Sequence, residues 1–188
     1  MKINLSFIYL ILLFACEPRP INPQDNLQTI TAKIDGIDFK ASLDPNDPKD
    51  FEEIVTNQVT FSSGLGFVLA IAGADFSLED AAVADIRLIL IGPELTGLKP
   101  GTVINSRGTD SEPPYTSLMA AGGTTKKLLN EENAYVADTD DFGDIEVIIT
   151  AFDTTARRMS GTFEFTAIDP DNDVTVNVTE GEFKNISW

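Results

Sequence analysis

The sequence contains no histidine and a single cysteine, Cys16. Without histidine the chain has no Ser-His-Asp triad, no histidine-ligated zinc site and no histidine general base. One cysteine excludes a disulfide within the chain. No glycine-rich phosphate-binding loop precedes a helical pattern, and no basic, aromatic-rich strand indicates nucleic-acid binding. Of the common catalytic groups, this composition leaves the carboxylates.

Basic side chains are also scarce, with 13 Lys and Arg against 30 Asp and Glu and a formal net charge of −17 at pH 7. Such a chain repels nucleic acid and anionic lipid and attracts cations or basic partners. The charge can also be explained without a partner, because it keeps an exposed protein soluble. No apolar segment outside the N-terminus is long and uncharged enough to span a bilayer.

The one long apolar run lies at the N-terminus, where Lys2 is followed by apolar residues 3–14 interrupted by Asn4 and Ser6. This run is shorter than the roughly 20 residues of a transmembrane helix. Residues 13–16 (LFAC) resemble the lipobox of bacterial lipoproteins. The resemblance implies that residues 1–15 are a cleaved signal peptide and that Cys16 carries lipid. The alternative is an ordinary secretory signal, with Cys16 a free thiol.

Residues 16–27 are rich in proline and asparagine and are interpreted as the lipidated cysteine and an extended tether. Residues 28–188 then form a single domain, which opens with strict alternation of apolar and polar residues. The alternation is interrupted by Asp35-Gly36, a pair that strongly favours a β-hairpin turn. The apolar residues of the two alternating runs are Ile30, Ala32, Ile34, Ile37, Phe39 and Ala41.

Apolar runs at 67–72 and 86–91 predict buried strands, and residues 77–82 between them are compatible with one helical turn capped by Ser77. Residues 102–104, 115–120 and 134–137 are weaker strand candidates. Three alternating segments after Asp144 predict an antiparallel meander, with a β-bulge hosted by the glycine of Glu180-Gly181. The predicted fold is all-β: a single antiparallel β-sandwich of about eight to ten strands, with a closed β-barrel as the alternative.

Three segments resemble a family of uncharacterised lipoproteins from Bacteroidota-type bacteria that carry a domain of unknown function. They are residues 31–36 (TAKIDG), 160–167 (SGTFEFTA) and 178–183 (VTEGEF). The resemblance implies a lipoprotein of the outer membrane. It supplies no active site, because these motifs reflect alternation, a turn and a glycine.

Two acidic loops are candidate calcium sites, since Ca²⁺ takes six to eight oxygen ligands and closely spaced aspartates supply several of them. Neither loop completes the EF-hand pattern, and aspartates are also favoured turn residues. A solvated turn is therefore the favoured interpretation of each loop, and a calcium site is the alternative. The candidate ligands are Asp138, Asp140 and Asp144 in the first loop and Asp169, Asp171 and Asp173 in the second.

We expect a membrane-anchored envelope lipoprotein with a non-enzymatic binding or structural role, whose partner is an envelope protein or a glycan and not nucleic acid. No cofactor is expected, and calcium at the two acidic loops is the alternative. Sugar-binding platforms are few, and Trp188 at the terminus is expected to close the edge of the core. The alternative function is a carboxylate-based hydrolase acting on glycans, which needs two carboxylates at a fixed separation. Its candidates in the sequence are Glu52, Glu53, Glu131, Glu132 and the aspartates of the two acidic loops.

A third hypothesis is a barrel that carries a hydrophobic ligand, which needs a hollow interior. The many Phe and Val residues at inward-facing positions predict a filled interior instead.

Overall fold

The fold is seen in a computed structural model, which describes residues 27–44, 53–62, 66–78, 82–105, 114–127, 134–139 and 144–188. Within these residues no helix is long and apolar enough to cross a membrane. The proposed leader, Cys16 and the tether up to residue 26 lie outside the described residues. The described strands are β1 Gln28–Ile34, β2 Ile37–Leu43, β3 Glu53–Ser62, β4 Gly66–Leu78, β5 Ala82–Gly92, β6 Val103–Asn105, β7 Met119–Lys127, β8 Tyr135–Asp138, β9 Ile145–Asp153, β10 Arg158–Asp169 and β11 Val174–Ser187.

All eleven described strands join one antiparallel sheet in the order β2-β1-β11-β10-β8-β7-β5-β4-β3, with β9 paired to β10 and β6 paired to β9. The sheet folds over on itself into a nearly closed barrel. Where β4 lies on β1 and β2, the two layers are so close that a Cβ atom on Gly73 would sit 2.9 Å from the Cβ of Ala41 and 3.0 Å from the Cδ1 of Ile30. The all-β prediction is confirmed, and one continuous sheet combines features of the sandwich and the barrel.

The sheet passes from one layer to the other at a corner beside β10. One edge of β10 pairs with β9 from Arg158 to Phe165 and then with β8 through Ile168 and Asp138. At this corner the hydroxyl of Thr139 accepts a hydrogen bond from the Gly122 amide, and the Thr139 amide donates to the Gly122 carbonyl, each at 2.9 Å. A side chain thus takes the place of a ladder partner where the strands separate.

The core fills the space between the layers with the inward-facing half of each strand. In β10 the buried positions alternate with exposed ones, and the rings of Phe163 and Phe183 stack with centroids 6.4 Å apart. This pattern confirms the predicted meander of β9, β10 and β11. At the terminus Trp188 packs against the core and stacks on Phe152 at 5.3 Å, as the sequence predicts.

The first hairpin is also confirmed, except that Ile37, the first apolar residue of its second strand, is exposed and not buried. Asp35 and Gly36 both have positive φ, of 48° and 81°, which a tight turn between twisted strands requires. The Asp35 amide donates to the Asn177 carbonyl at 2.8 Å, and the Asn177 amide donates to Oδ1 of Asp35 at 2.9 Å. These bonds fix the β1–β2 turn against β11.

Of the helical turn predicted at 77–82, residues 79–81 lie outside the described residues, and the described ones are not helical: Ser77 and Leu78 end β4, Ala82 opens β5, and Leu78 pairs with Ala82. The capping signal is local and worth little against a long ladder between two apolar strands. The strand predicted at 115–120 begins instead at Met119 and continues to Lys127.

The predicted bulge is present, since the register between β10 and β11 shifts between the pairs Phe163–Gly181 and Phe165–Val178. The left-handed residue is Glu180, with φ 52°, and not the glycine. Gly181 has another reason to be glycine, because a Cβ atom there would lie 2.5 Å from both the ring and the carbonyl oxygen of Phe163.

Candidate functional site

One end of the barrel, here called the mouth, carries the β1–β2 turn, the β10–β11 turn, the end of β7 and the start of β8. Four residues on four neighbouring strands form one row there: Asp75 pairs with Ala84, Ala84 with Lys126, and Lys126 with Tyr135. Asp75 and Ala84 are buried, and the other two are partly buried. Because Asp75 and Ala84 continue the inward-facing positions of β4 and β5, the row forms a polar layer above the apolar core.

A small pocket of about 90 Å³ opens at this layer. The pocket lies between the row and the first hairpin. Alanine at position 84 carries the smallest side chain of the row and leaves space for it. Lys126 and Tyr135 also border a wider, more open depression of about 580 Å³ that reaches the β10–β11 turn. The pocket, called the mouth pocket below, is lined by Ile34, Asp35, Ile37, Asp38, Phe39, Ala84, Lys126 and Tyr135.

The Tyr135 hydroxyl is a neutral hydrogen-bonding group at this end. Burial raises the pKa of Tyr135 and outweighs a hydrogen bond with the Thr124 side chain that lowers it, and the carboxylates of Asp35 and Asp85 raise it further. The phenol therefore stays protonated at neutral pH and is able to donate a hydrogen bond.

Asp169, a predicted calcium ligand, is buried in the β10–β11 turn, where N–H groups surround its carboxylate. Oδ1 accepts from the amides of Asp171 and Asn172 at 3.0 and 3.2 Å. Oδ2 accepts from the Val136 amide at 2.9 Å and from Nδ2 of Asn172 at 2.7 Å. These hydrogen bonds hold the pKa of Asp169 below its ordinary value, and the bond from the Asn172 side chain has the largest effect. Asp169 thereby joins the turn to β8.

The other candidate calcium ligands are only partly brought together. Asp138 and Asp171 border the depression beside Asp169, whereas Asp144 lies just before β9 and Asp173 ends the β10–β11 turn at φ 53°. Within the described residues no three acidic, histidine or cysteine side chains form a group able to hold a metal ion. Asp140 lies outside the described residues, so calcium at the first loop stays a prediction.

A second candidate site lies on the outer surface of β9, β10 and β11. Glu146 and Glu164 are paired directly across β9 and β10, and both are exposed. Two shallow grooves of about 450 and 380 Å³ share these two residues. The second groove also contains Glu180 and Glu182. This surface, defined by the four glutamates, is called the acidic face below.

Two of the four glutamates have cationic partners: Lys33 Nζ lies 2.8 Å from Oε1 of Glu180, and Lys184 Nζ lies 2.8 Å from Oε2 of Glu182. The hydrogen bond and charge of Glu180 raise the pKa of Lys33. Within the described part of the chain, Glu146 and Glu164 have no such partner. Like charges directly opposite one another on a sheet are unfavourable, so this pair is a chemically distinctive feature of the face.

The glutamates proposed from sequence for a hydrolase do not form this pair. Glu52, Glu131 and Glu132 lie outside the described residues, and Glu53 opens β3. Sequence reasoning missed Glu146 and Glu164 because their pairing depends on strand register. It also missed the pairing of Lys126 with Tyr135, because Lys126 lies beyond the strand predicted at 115–120 and Tyr135 lies in a weak strand candidate.

Neither a curated protein nor a solved structure matches this chain. A family model does match residues 115–187, which include β7 to β11, Lys126, Tyr135 and the four glutamates of the acidic face. The match agrees with the resemblance to a domain of unknown function, and it brings no assigned activity. The family that these residues match is described as a domain of unknown function (DUF6252).

Proposed function

We propose that this protein is a lipid-anchored binding protein of the bacterial cell envelope, attached through Cys16 to the outer membrane, and that the barrel mouth is its binding surface. The role is non-enzymatic. Support for the anchor comes from the LFAC motif at residues 13–16, and support for the binding surface comes from the direction in which the chain enters the barrel.

That direction is the observation that carries the proposal. β1 runs from Gln28 to Ile34, and its far end forms the turn that borders the mouth pocket. Leu27 therefore enters at the opposite end of the barrel. The eleven residues from Cys16 to Asn26 reach at most roughly 40 Å when fully extended. An anchor at Cys16 would hold the entry end toward the membrane and leave the mouth accessible.

The anchor is tested with Cys16→Ser in the native host. We expect loss of incorporated fatty-acid label and transfer of the protein out of the membrane fraction, because the chain has no second thiol to acylate. Label that persists in the variant would contradict lipidation.

The binding surface is tested by photo-crosslinking in intact cells with a photoreactive residue at Val136, which lies beside the mouth and is 58% exposed. Val103 on β6 is a matched control, since it is also a valine and is 50% exposed. We expect a discrete crosslinked product from Val136 and not from Val103. The same pattern at both positions, or no product from Val136, would contradict a binding role for the mouth.

The second candidate function is a carboxylate-based hydrolase acting on glycans, and the pairing of Glu146 with Glu164 favours it. Directly opposite residues have Cβ atoms about 5 Å apart, so two glutamate side chains there are able to place their carboxyl groups about 5–5.5 Å apart, the separation found in retaining glycosidases. The two grooves that contain this pair are shallow and exposed, which favours a binding surface over a catalytic site. Glycan turnover that disappears in Glu164→Gln and persists in Glu182→Gln would establish the hydrolase, whereas we expect no turnover in the parent protein.

A further inference from the structure

We infer that the mouth pocket accepts one aliphatic side chain from a basic segment of a partner protein. This inference rests on the proposed binding role of the mouth and specifies the chemistry of the partner.

Large apolar side chains are exposed around the mouth pocket. Ile37 and Val136 are 62% and 58% exposed, the two highest values among the described large hydrophobic residues. Ile37 lines the mouth pocket, and Val136 lies beside Tyr135 on the adjoining depression. The described residues thus place their two most exposed large apolar side chains at the same end of the barrel. Apolar surface concentrated around a concavity is typical of a binding site.

The size of the pocket limits its occupant. A drug-sized ligand needs roughly 300–1,000 Å³, far more than the about 90 Å³ available. The walls formed by Ile34, Phe39 and Ala84 are apolar, so the pocket suits a single aliphatic side chain. The depression of about 580 Å³ shares Lys126 and Tyr135 with the pocket, which leaves room for the residues that flank such a side chain.

The charge around the pocket favours a basic partner. Asp35 and Asp38 line the pocket, and Asp138 and Asp171 line the depression, together with Lys126 and Lys127. The methylene groups of Lys126 can form part of the wall while its ammonium group reaches water. The whole chain carries a net charge of −17. A second copy, a nucleic acid or an anionic lipid surface would therefore be repelled, whereas lysine and arginine beside an aliphatic residue would be attracted.

The test uses the full-length protein in nanodiscs of zwitterionic phosphatidylcholine, with empty nanodiscs as the blank. The probe is a short fluorescent peptide of alternating lysine and leucine, measured by anisotropy. One comparison peptide replaces leucine with serine, and another replaces lysine with glutamate. We expect saturable binding of the lysine–leucine peptide. The serine peptide should bind at least about tenfold more weakly, the fold-change that corresponds to burial of one aliphatic side chain, and the glutamate peptide should also bind more weakly because its charge has the same sign as that of the protein.

Two variants place that binding at the mouth. Ile37→Ser removes the exposed apolar rim, and Asp38→Asn removes one exposed carboxylate. We expect Ile37→Ser to weaken binding at least about tenfold, and Asp38→Asn to weaken it by a factor that falls as salt is added. Val103→Ser is the control, expected to bind like the parent. Thermal melting checks that each variant is folded.

Failure of the lysine–leucine peptide to bind, equally tight binding of the lysine–serine peptide, or an equal loss in Val103→Ser would overturn the inference. If Val136 still crosslinks to a partner in cells, the binding role of the mouth survives and only the basic, aliphatic partner is excluded. If Val136 gives no crosslink either, the binding role fails as well.

Discussion

At residue 181 the chain has no room for a side chain, although its backbone conformation is not left-handed. A Cβ atom on Gly181 would meet the ring and the carbonyl oxygen of Phe163 at 2.5 Å. Gly101 is the reverse case, with φ 87° and nothing within 4 Å of its Cβ position. A side chain at residue 181 would therefore cause steric conflict without backbone strain, and one at residue 101 would cause backbone strain without steric conflict.

We therefore expect Gly181→Ala to destabilise the protein more than Gly101→Ala. Gly101→Ala should lower the free energy of unfolding by about 1–2 kcal/mol through backbone strain. Gly181→Ala forces backbone atoms of the core to move and should lower it by about 3 kcal/mol or more. Urea unfolding of both variants measures the difference. Equal losses would show that the Phe163 strand moves aside easily.

Asp169 gives the turn beside the mouth a dependence on pH. The folded-state pKa of Asp169 lies below its ordinary value because the carboxylate accepts hydrogen bonds from Asn172, Val136 and Asp171. A carboxylate of this kind contributes stability above its unfolded-state pKa of about 3.9, and that contribution disappears as the pH falls through the folded-state pKa.

Asp169→Asn should accordingly lower the melting temperature at neutral pH, because an amide cannot accept bonds from all these donors. The difference from the parent should shrink below about pH 4 as the parent carboxylate becomes protonated. Melting curves across this range test the expectation. Asp171→Asn, at an exposed position in the same turn, is the control, and a loss of equal size there would show that the hydrogen bonds of Asp169 are not the cause.

At the scale of the element, the C-terminal meander holds its buried face by aromatic packing and places like charges on its outer face. Glu146 and Glu164 are directly opposite each other on β9 and β10. Cross-strand pairs of opposite charge are favourable and like pairs unfavourable, each by about 0.2–1 kcal/mol.

We expect Glu146→Lys and Glu164→Lys each to raise the free energy of unfolding by about 0.2–1 kcal/mol. The double variant should lose most of this gain, because two lysines again face each other. Chemical unfolding at low and high salt measures the coupling, which added salt should reduce. Additive gains in the double variant would mean that the two side chains do not interact.

The elements that can be predicted from sequence are those whose signal is local. The alternation from Ile30 to Ala41 and the turn chemistry of Asp35-Gly36 lie within one short stretch, so they predict the first hairpin and its buried face. The capping chemistry of Ser77 is equally local and predicts a helical turn, but the ladder between β4 and β5 stabilises a strand at this residue instead. The bulge was located by a change of parity, whereas the division of roles between Glu180 and Gly181 depends on Phe163, a residue of another strand.

The candidate site could not be predicted because its parts come together only through long-range register. Asp75, Ala84, Lys126 and Tyr135 belong to four strands, and a shift of one residue in any ladder would turn a member of the row to the other face. The aspartates around Asp169 were visible in sequence. Their role as hydrogen-bond acceptors depends on Val136 and Asn172, which spacing alone does not show.

At the scale of the whole molecule, a net charge of −17 makes the folded state repel itself. We expect the melting temperature to rise between about 10 mM and about 150 mM NaCl, because salt screens that repulsion. Calcium chloride at matched ionic strength separates screening from specific binding. The β10–β11 turn should give no calcium-specific rise, since N–H donors already contact both oxygens of Asp169. A rise found only with calcium would establish a cation site.

The antiparallel pairing of β1 on both sides has a mechanical consequence. β1 is hydrogen-bonded to β2 along its whole length and to β11 from Thr29 to Ile34, and the chain leaves it at Leu27. A force between the N-terminal segment and a partner held at the mouth would pull β1 along its own axis. Ladder bonds are perpendicular to the strands, so this force loads both ladders in shear and the bonds must break together. The strand that joins the N-terminal segment to the barrel is therefore placed to bear tension.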